Sequence, residues 1–262
     1  MRPAAMNPDF ESTQIDQLPV RIYQETSELY NHLASEVATY LVETIEAQGS
    51  AAAILATGNS QIEFLSRLVK YKDIDWDRIT LFHMDEYLGL PGDHPSSFRY
   101  YMKERVEKLV KPRKFHYMRG DSDEPIRECD RYEAALRAQP IDLCCMGIGE
   151  NGHIAFNDPH VANFSDQRLV KVVSLDETCR NQQVKQGHFD DIHTMPQYAL
   201  TLTITALRMA KRAYCLAPEK RKAVPVKNML TGPISTDCPA SILRQTPNAV
   251  LLLDKDSAAE AM

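Results

Sequence analysis

Leu29, Leu33, Val37, Leu41 and Ile45 recur at four-residue steps through TSELYNHLASEVATYLVETIEAQG, which predicts an amphipathic helix, capped at its start by Thr26 or Ser27 and ended by Gly49. The stretches on either side carry a different pattern. PVRIYQ before the helix reads as a short strand, AAAILATGNS after it as a buried strand running into a loop, and QIEFLSRLVK as a second helix. The alternation continues with a strand over ITLFHMDEY (79–87), a helix over SSFRYYMKERVEKLV (96–110), a short strand over KFHYM (114–118), a helix over PIRECDRYEAALRA (125–138) and a strand over IDLCCMGIG (141–149). Further strands fall at 169–175, 198–204, 212–217 and 249–254, with a helix over KRKAVPVKNML (220–230).

Near-continuous apolar strands that alternate with amphipathic helices predict a mostly parallel sheet covered on both faces. The expected fold is therefore a doubly wound α/β, Rossmann-like three-layer sandwich. No repeat, low-complexity linker or shift in composition marks a boundary, so residues 1–262 read as one domain, with a polar N-terminal arm over 1–18. In such sheets ligands bind beyond the carboxyl ends of the strands. Four loops are placed there: TGNS (57–60), MDEYLGLPGDHPSS (84–97), GIGENGHIAFNDP (147–159) and APEKRKA (217–223).

Composition narrows the partners. A formal charge of -6 offers no electrostatic footprint for nucleic acid or an anionic membrane, and the basic run at 219–227 is too short to reverse it. The six cysteines lack C-x-x-C spacing, which suits a reducing cytoplasm. The N-terminal residues carry no apolar signal-peptide core, and no window of about 18 apolar residues could span a bilayer. A soluble cytoplasmic protein is expected, with self-association left open.

Gly147, Gly149 and Gly152 spell G-x-G-x-x-G behind an apolar run. A dinucleotide loop must open a helix, and Asn157-Asp158-Pro159 breaks any helix within two turns, so no nucleotide cofactor is expected. What remains is a tight turn that carries His153 beside Glu150, Asn151 and Asp158. A histidine next to an acid can exchange protons near neutrality, although the same residue could simply satisfy loop carbonyls. Asp85 and Glu86 end an apolar strand without starting a helix, which is a costly place to leave carboxylates. Thr57, Gly58, Asn59 and Ser60 precede a helix and offer a phosphate seat, to which Lys220 would add a cation. His83, His94 and Asp85 match no zinc spacing, and no metal is expected.

Two of these segments are long enough to compare with a known family. MDEYLGLPGDHPSSFRYYM resembles the M-D-E-Y-x-G-L-P-x-x-H-P-x-S segment of glucosamine-6-phosphate deaminases, and MGIGENGHIAFNDP resembles their G-x-G-x-D-G-H-I-A-F-N-E-P segment. The likeness runs over roughly residues 20 to 254. Related 6-phosphogluconolactonases share the Gly-His turn but lack the other signatures. The resemblance implies hydrolytic isomerisation of an amino-sugar 6-phosphate to a ketose phosphate and ammonia. It implies Asp85 as the base at the sugar's second carbon and His153 as the group that opens the ring. Thr57 to Ser60 and Lys220 would hold the phosphate, and Glu86 and Gly149 fall in the substrate-binding set. The chain departs from the family at Asn151, usually Asp, and at Asp158, usually Glu. The lid-side phosphate arginine has no counterpart by spacing, and Arg180 is the nearest candidate. A sugar-phosphate sensor is the non-enzyme alternative, but the arm before the first strand is too short for a DNA-binding module.

Overall fold

The computed structural model describes residues 9–261. Eleven strands run in chain order: β1 (Phe10–Ile15), β2 (Leu18–Tyr23), β3 (Ala51–Leu55), β4 (Ile79–His83), β5 (Asp85–Tyr87), β6 (Lys114–His116), β7 (Leu143–Met146), β8 (Val170–Ser174), β9 (Tyr198–Leu202), β10 (Arg212–Leu216) and β11 (Ala249–Asp254). Eight of them form one sheet in the order β1-β2-β11-β10-β7-β3-β4-β6, parallel throughout except for β1. The α-helices are α1 (Thr26–Gln48), α2 (Asn59–Leu68), α3 (Phe98–Met102), α4 (Lys108–Val110), α5 (Pro125–Arg137), α6 (Glu177–Lys185), α7 (Ile204–Leu207), α8 (Ala223–Thr231) and α9 (Lys255–Ala258). None of them is long and apolar enough to cross a membrane.

The three-layer sandwich follows from the two-residue period of a strand. In β3, Ala51, Ala53 and Leu55 pack into one apolar cluster with Leu33, Val37 and Leu41 of α1 and Phe64 and Leu68 of α2. Ala52 and Ile54 point the other way, into a second cluster with Cys129, Tyr132 and Leu136 of α5 and Val226, Met229 and Leu230 of α8. Both faces are thus buried, which explains why the strands read as unbroken apolar runs rather than as alternations.

Three expectations are corrected. Of the arm over 1–18, residues 1–8 lie outside the described residues, but Phe10–Ile15 forms an edge strand antiparallel to β2. Its polar side chains face solvent, so it carries no apolar signal. The strand over 79–87 breaks at Met84: β4 stays in the main sheet, while β5 joins a separate antiparallel sheet in the order β5-β9-β8. At the start of α1 neither expected residue caps; Glu25 holds the N-cap position without a side-chain bond, and Thr26 Oγ1 donates instead to Asp254 Oδ2 at 2.7 Å. Gly49 ends the helix as expected, at φ 84° with its N–H on Ile45 O.

Other differences are local. The helix over 96–110 starts at Phe98, with Ser97 as its cap, and widens into a π-helical segment at Lys103–Glu107. The helix over 220–230 opens with a 3₁₀ turn at Lys220–Lys222. The helix α6 and the 3₁₀ segment Pro239–Gln245 carry little periodic signal and were not expected.

The break at Met84 sets up the site, because it turns the next residues out of the main sheet. Tyr132 of α5 holds that strand end: its buried hydroxyl donates to His83 O at 2.7 Å and accepts from His83 N–H at 3.1 Å. Tyr132→Phe should leave these backbone groups unsatisfied and lower stability by about 1–3 kcal/mol. Urea denaturation is the check, with a lower midpoint at an unchanged m-value; an unmoved midpoint would show that the strand end holds without Tyr132.

Candidate active site

Residues from five chain segments line one pocket beyond the carboxyl ends of β3, β7 and β10. The first segment follows β3. Gly58 takes φ 101° and ψ 167°, a region that favours glycine, and forms the N-cap of α2 without any side-chain bond. No side chain therefore caps that helix start; Gln61 N–H bonds Gly58 O at 3.0 Å, and Thr57, Asn59 and Ser60 lie around it in the pocket lining. Tyr101 donates its hydroxyl to Gly58 O at 3.1 Å and ties the loop to the helical stretch after β5.

The second segment carries the paired carboxylates on β5, whose neighbouring side chains point to opposite faces. Asp85 lines the pocket, is 6% exposed, and its Oδ1 has no partner. Burial, and then the charge of Glu86, hold its carboxyl well above the usual carboxylate range. Glu86 faces away and is not among the pocket residues. Its oxygens are filled by the Ser97 hydroxyl (2.7 Å) and by the N–H groups of Tyr87 (2.9 Å), Phe98 (3.1 Å) and Arg99 (2.8 Å). The expected substrate contact is thus an anchor for the start of α3.

The third segment, after β7, is the glycine turn. A Cβ on Gly149 would lie 2.2 Å from the His153 ring, so only glycine lets the imidazole settle against this strand end. Asn157 pins the turn by donating to Ile154 O (2.9 Å) and Leu202 O (2.8 Å). His153 Nδ1 lies 2.9 Å from Asp158 Oδ1 and 2.7 Å from Asn151 Oδ1. Two oxygen acceptors put the proton on Nδ1 and leave Nε2 for a ligand. Burial pushes the Asp158 carboxyl up, but the His153 hydrogen bond and charge, the Asn151 amide and the Asp176 N–H outweigh it and hold it below the usual range. Glu150 is not a pocket residue; its N–H is held by Gln182 Oε1 at 3.0 Å.

The fourth segment, after β10, replaces one lysine with another. Lys220 is exposed and outside the pocket, whereas Lys222 is buried in its wall with Arg221 beside it. At three residues per turn, positions 220 and 222 cannot share a face of the 3₁₀ segment. Lys222 Nζ donates to Ile148 O, and burial, with the neighbouring Arg221, lowers its pKa to about 8. The fifth segment is α6, which presents Gln182, Gln183 and Gln186. Arg180 does not reach the pocket; its guanidinium donates to Ile192 O and Met195 O and holds that loop in place.

Sequence reasoning therefore missed Lys222, Arg221 and the three glutamines. Lys222 stood two residues from the chosen lysine, and only the turn type separates them. The glutamines had no signal. Among the described residues, His153, Asp158 and Cys179 place potential metal-ligand atoms within 4.8 Å of one another, as do Asp158, His160 and Asp176. Asp158 is shared by both groups, and its oxygens already bond His153, Asn151 and the Asp176 N–H.

The profile of the family described as glucosamine-6-phosphate isomerases/6-phosphogluconolactonase matches residues 24–252. The chain belongs to this family. Similar members include the glucosamine-6-phosphate deaminase of Exiguobacterium sibiricum, 36% identical over 78% of this chain and 79% of that one. That of Bacillus cytotoxicus is 32% identical over 85% and 83%. Among solved structures, a monomeric glucosamine-6-phosphate deaminase superposes with a TM-score of 0.84 at 32% identity, covering 92% of this chain and 99% of the other. A 6-phosphogluconolactonase from Shewanella baltica reaches 0.74 at 20% identity, over 92% and 100%, a likeness of fold.

Within this family member, Glu86 and Asp85 are separated by what fills them. Glu86→Gln turns an NH₂ toward backbone donors and should lower stability by about 1–3 kcal/mol, seen as a lower denaturation midpoint, with ligand affinity of the folded protein unchanged. Weaker binding at an unshifted midpoint would return Glu86 to the ligand contacts.

Proposed function

We propose that this chain converts glucosamine 6-phosphate and water into fructose 6-phosphate and ammonia, as a soluble cytoplasmic enzyme. One observation carries the reading: a single pocket joins an unpaired buried carboxyl, a histidine with its Nδ1 occupied, and a cationic helix-start seat. The curated relatives named above are glucosamine-6-phosphate deaminases, which supports the same substrate.

The phosphate sits on the α2 start, where N–H groups, the helix dipole and Thr57, Asn59 and Ser60 meet it, with Lys222 and Arg221 supplying positive charge. The sugar ring then extends toward His153 and Asp85. Nε2 of His153 takes the proton of the anomeric hydroxyl and gives it to the ring oxygen, which becomes the fifth-carbon hydroxyl as the ring C–O bond breaks and the first carbon becomes an aldehyde. Asp85, ionised, removes the proton from the amine-bearing second carbon and returns it to the first. One carboxylate suits both transfers because the carbons are adjacent. The imine left at the second carbon adds water and releases ammonia, and the ketose remains.

Asp85 must be ionised to accept a proton, and its carboxyl is held above the usual range. Hence kcat/KM should rise with pH through a limb displaced upward from the ordinary carboxylate value. Asp85→Asn should remove that limb and cut kcat by about 10²–10⁴-fold with KM little changed. Ammonia release from glucosamine 6-phosphate is the assay. Turnover near the parent's would remove Asp85 from the reaction, and acid release from 6-phosphogluconolactone without ammonia would replace the reading with a lactonase.

Lys222 contributes its charge when protonated, which in the free enzyme holds below pH about 8. KM should climb as pH rises through that value. Lys222→Met should raise KM by about 10- to 100-fold, the worth of a charged hydrogen bond, while Lys220→Ala should leave KM in place. A reversed pattern would restore the exposed lysine as the phosphate partner.

A further inference from the structure

Asn151 stands at the centre of the His153 cluster, and the two ends of its amide are not interchangeable. Its Nδ2 donates to two carboxylates, Asp158 Oδ1 at 3.0 Å and Asp176 Oδ2 at 2.8 Å. Its Oδ1 lies 2.7 Å from His153 Nδ1 and accepts from the His153 N–H at 3.1 Å. Turned over, the amide would press an NH₂ against that N–H and an oxygen against two carboxylates. Only one orientation is satisfied. An amide oxygen at Nδ1 in turn demands a proton there, which fixes the tautomer that leaves Nε2 as an acceptor.

Asp176 reaches this cluster from outside the glycine turn. It is the N-cap of α6, where its Oδ1 accepts from Cys179 N–H at 2.6 Å, and its own N–H donates to Asp158 Oδ2 at 3.2 Å. The cap uses one carboxylate oxygen and Asn151 the other. We infer that Asp176 is a positioning residue: with Asp158 it holds the Asn151 amide in one orientation, so that Nδ1 of His153 meets the amide oxygen as well as the Asp158 carboxylate and keeps its proton. The inference rests on the ring-opening role proposed for that histidine. It also accounts for the departure at position 151. An acid there would face Asp158 and Asp176 with no donor between three carboxylates, so with Asp176 present the position calls for an amide.

The test exchanges the two groups. Asp176→Asn keeps an oxygen for Cys179 N–H, and asparagine caps a helix as well as aspartate does. Its NH₂, however, meets that of Asn151, and turning Asn151 over relieves that contact only by setting its oxygen against Asp158 and its NH₂ against the His153 N–H. Asn151→Asp alone assembles the three carboxylates. The double variant, Asn151→Asp with Asp176→Asn, restores a donor opposite an acceptor between positions 151 and 176 at unchanged total charge, and leaves one carboxylate contact, with Asp158, where Asn151→Asp alone has two. Each single variant should lose about 10- to 100-fold in kcat for ammonia release, as removal of such supporting partners typically does, with little change in KM. The double variant should recover part of the loss seen in Asn151→Asp.

A second readout needs no substrate. Long-range ¹H–¹⁵N NMR of the His153 ring, assigned by the signals lost in His153→Gln, should show Nδ1–H in the parent and in the double variant, and a population of Nε2–H in Asp176→Asn. Losses that multiply in the double variant, or a ring whose tautomer ignores position 176, would overturn the assignment. Should Asp176→Asn fail to fold, the comparison of Asn151→Asp with the double variant decides alone. If the tautomers follow the exchange while no form releases ammonia, the positioning role stands and the proposed reaction falls.

Discussion

A carboxylate can be buried only if something fills its oxygens or if it keeps its proton, and this chain buries two in succession. Glu86 takes the first course. Three of its four hydrogen bonds gather the start of α3 beneath β5, which brings Phe98 into the pocket wall and Tyr101 within reach of the Gly58 carbonyl. The loop at the start of α2 is therefore held, through one helix, by a carboxylate that is not among the pocket residues. Asp85 takes the second course. With Oδ1 unpaired, it is the carboxyl left for chemistry.

Asp85 and Asp158 have opposite consequences for stability. Because Asp85 is held above its ordinary value, the folded chain keeps a proton that the unfolded chain has released, so this group costs stability as pH rises through its raised pKa. Asp158 is held below its ordinary value, so its contribution is present above that value and is lost as pH falls through the lowered one. The unpaired group is the one the pocket exposes to a substrate, a form of local disadvantage that functional sites often carry.

The pocket also joins groups of both charges. Lys222, Arg221 and the start of α2 come from the loops after β10 and β3, which flank the loop after β7 that carries His153, while Asp85 comes from β5. A ligand with an anionic group and a proton to lose finds both kinds of partner there. The glutamines of α6 add neutral donors and acceptors, which can read hydroxyls without disturbing the charge pattern.

The parallel sandwich, the positions of most strands and helices, and the placing of Asp85, His153, Asn151, Asp158 and residues 57–60 just past the ends of main-sheet strands were legible in the sequence. These features rest on local periodicity and on which residue types a buried strand tolerates, and both are written in consecutive positions. The resemblance added roles that periodicity could not. Tertiary structure decided the remainder: the break at Met84, the antiparallel sheet of β5, β9 and β8, the diversion of Glu86 and Arg180 to structural bonds, the choice of Lys222 over Lys220, and the arrival of Asp176 beside Asn151. The partners in these cases lie far apart along the chain or differ only by the turn type between neighbours. Hydrogen-bond saturation and facing direction are properties of three-dimensional neighbours, so no pattern of consecutive residues specifies them.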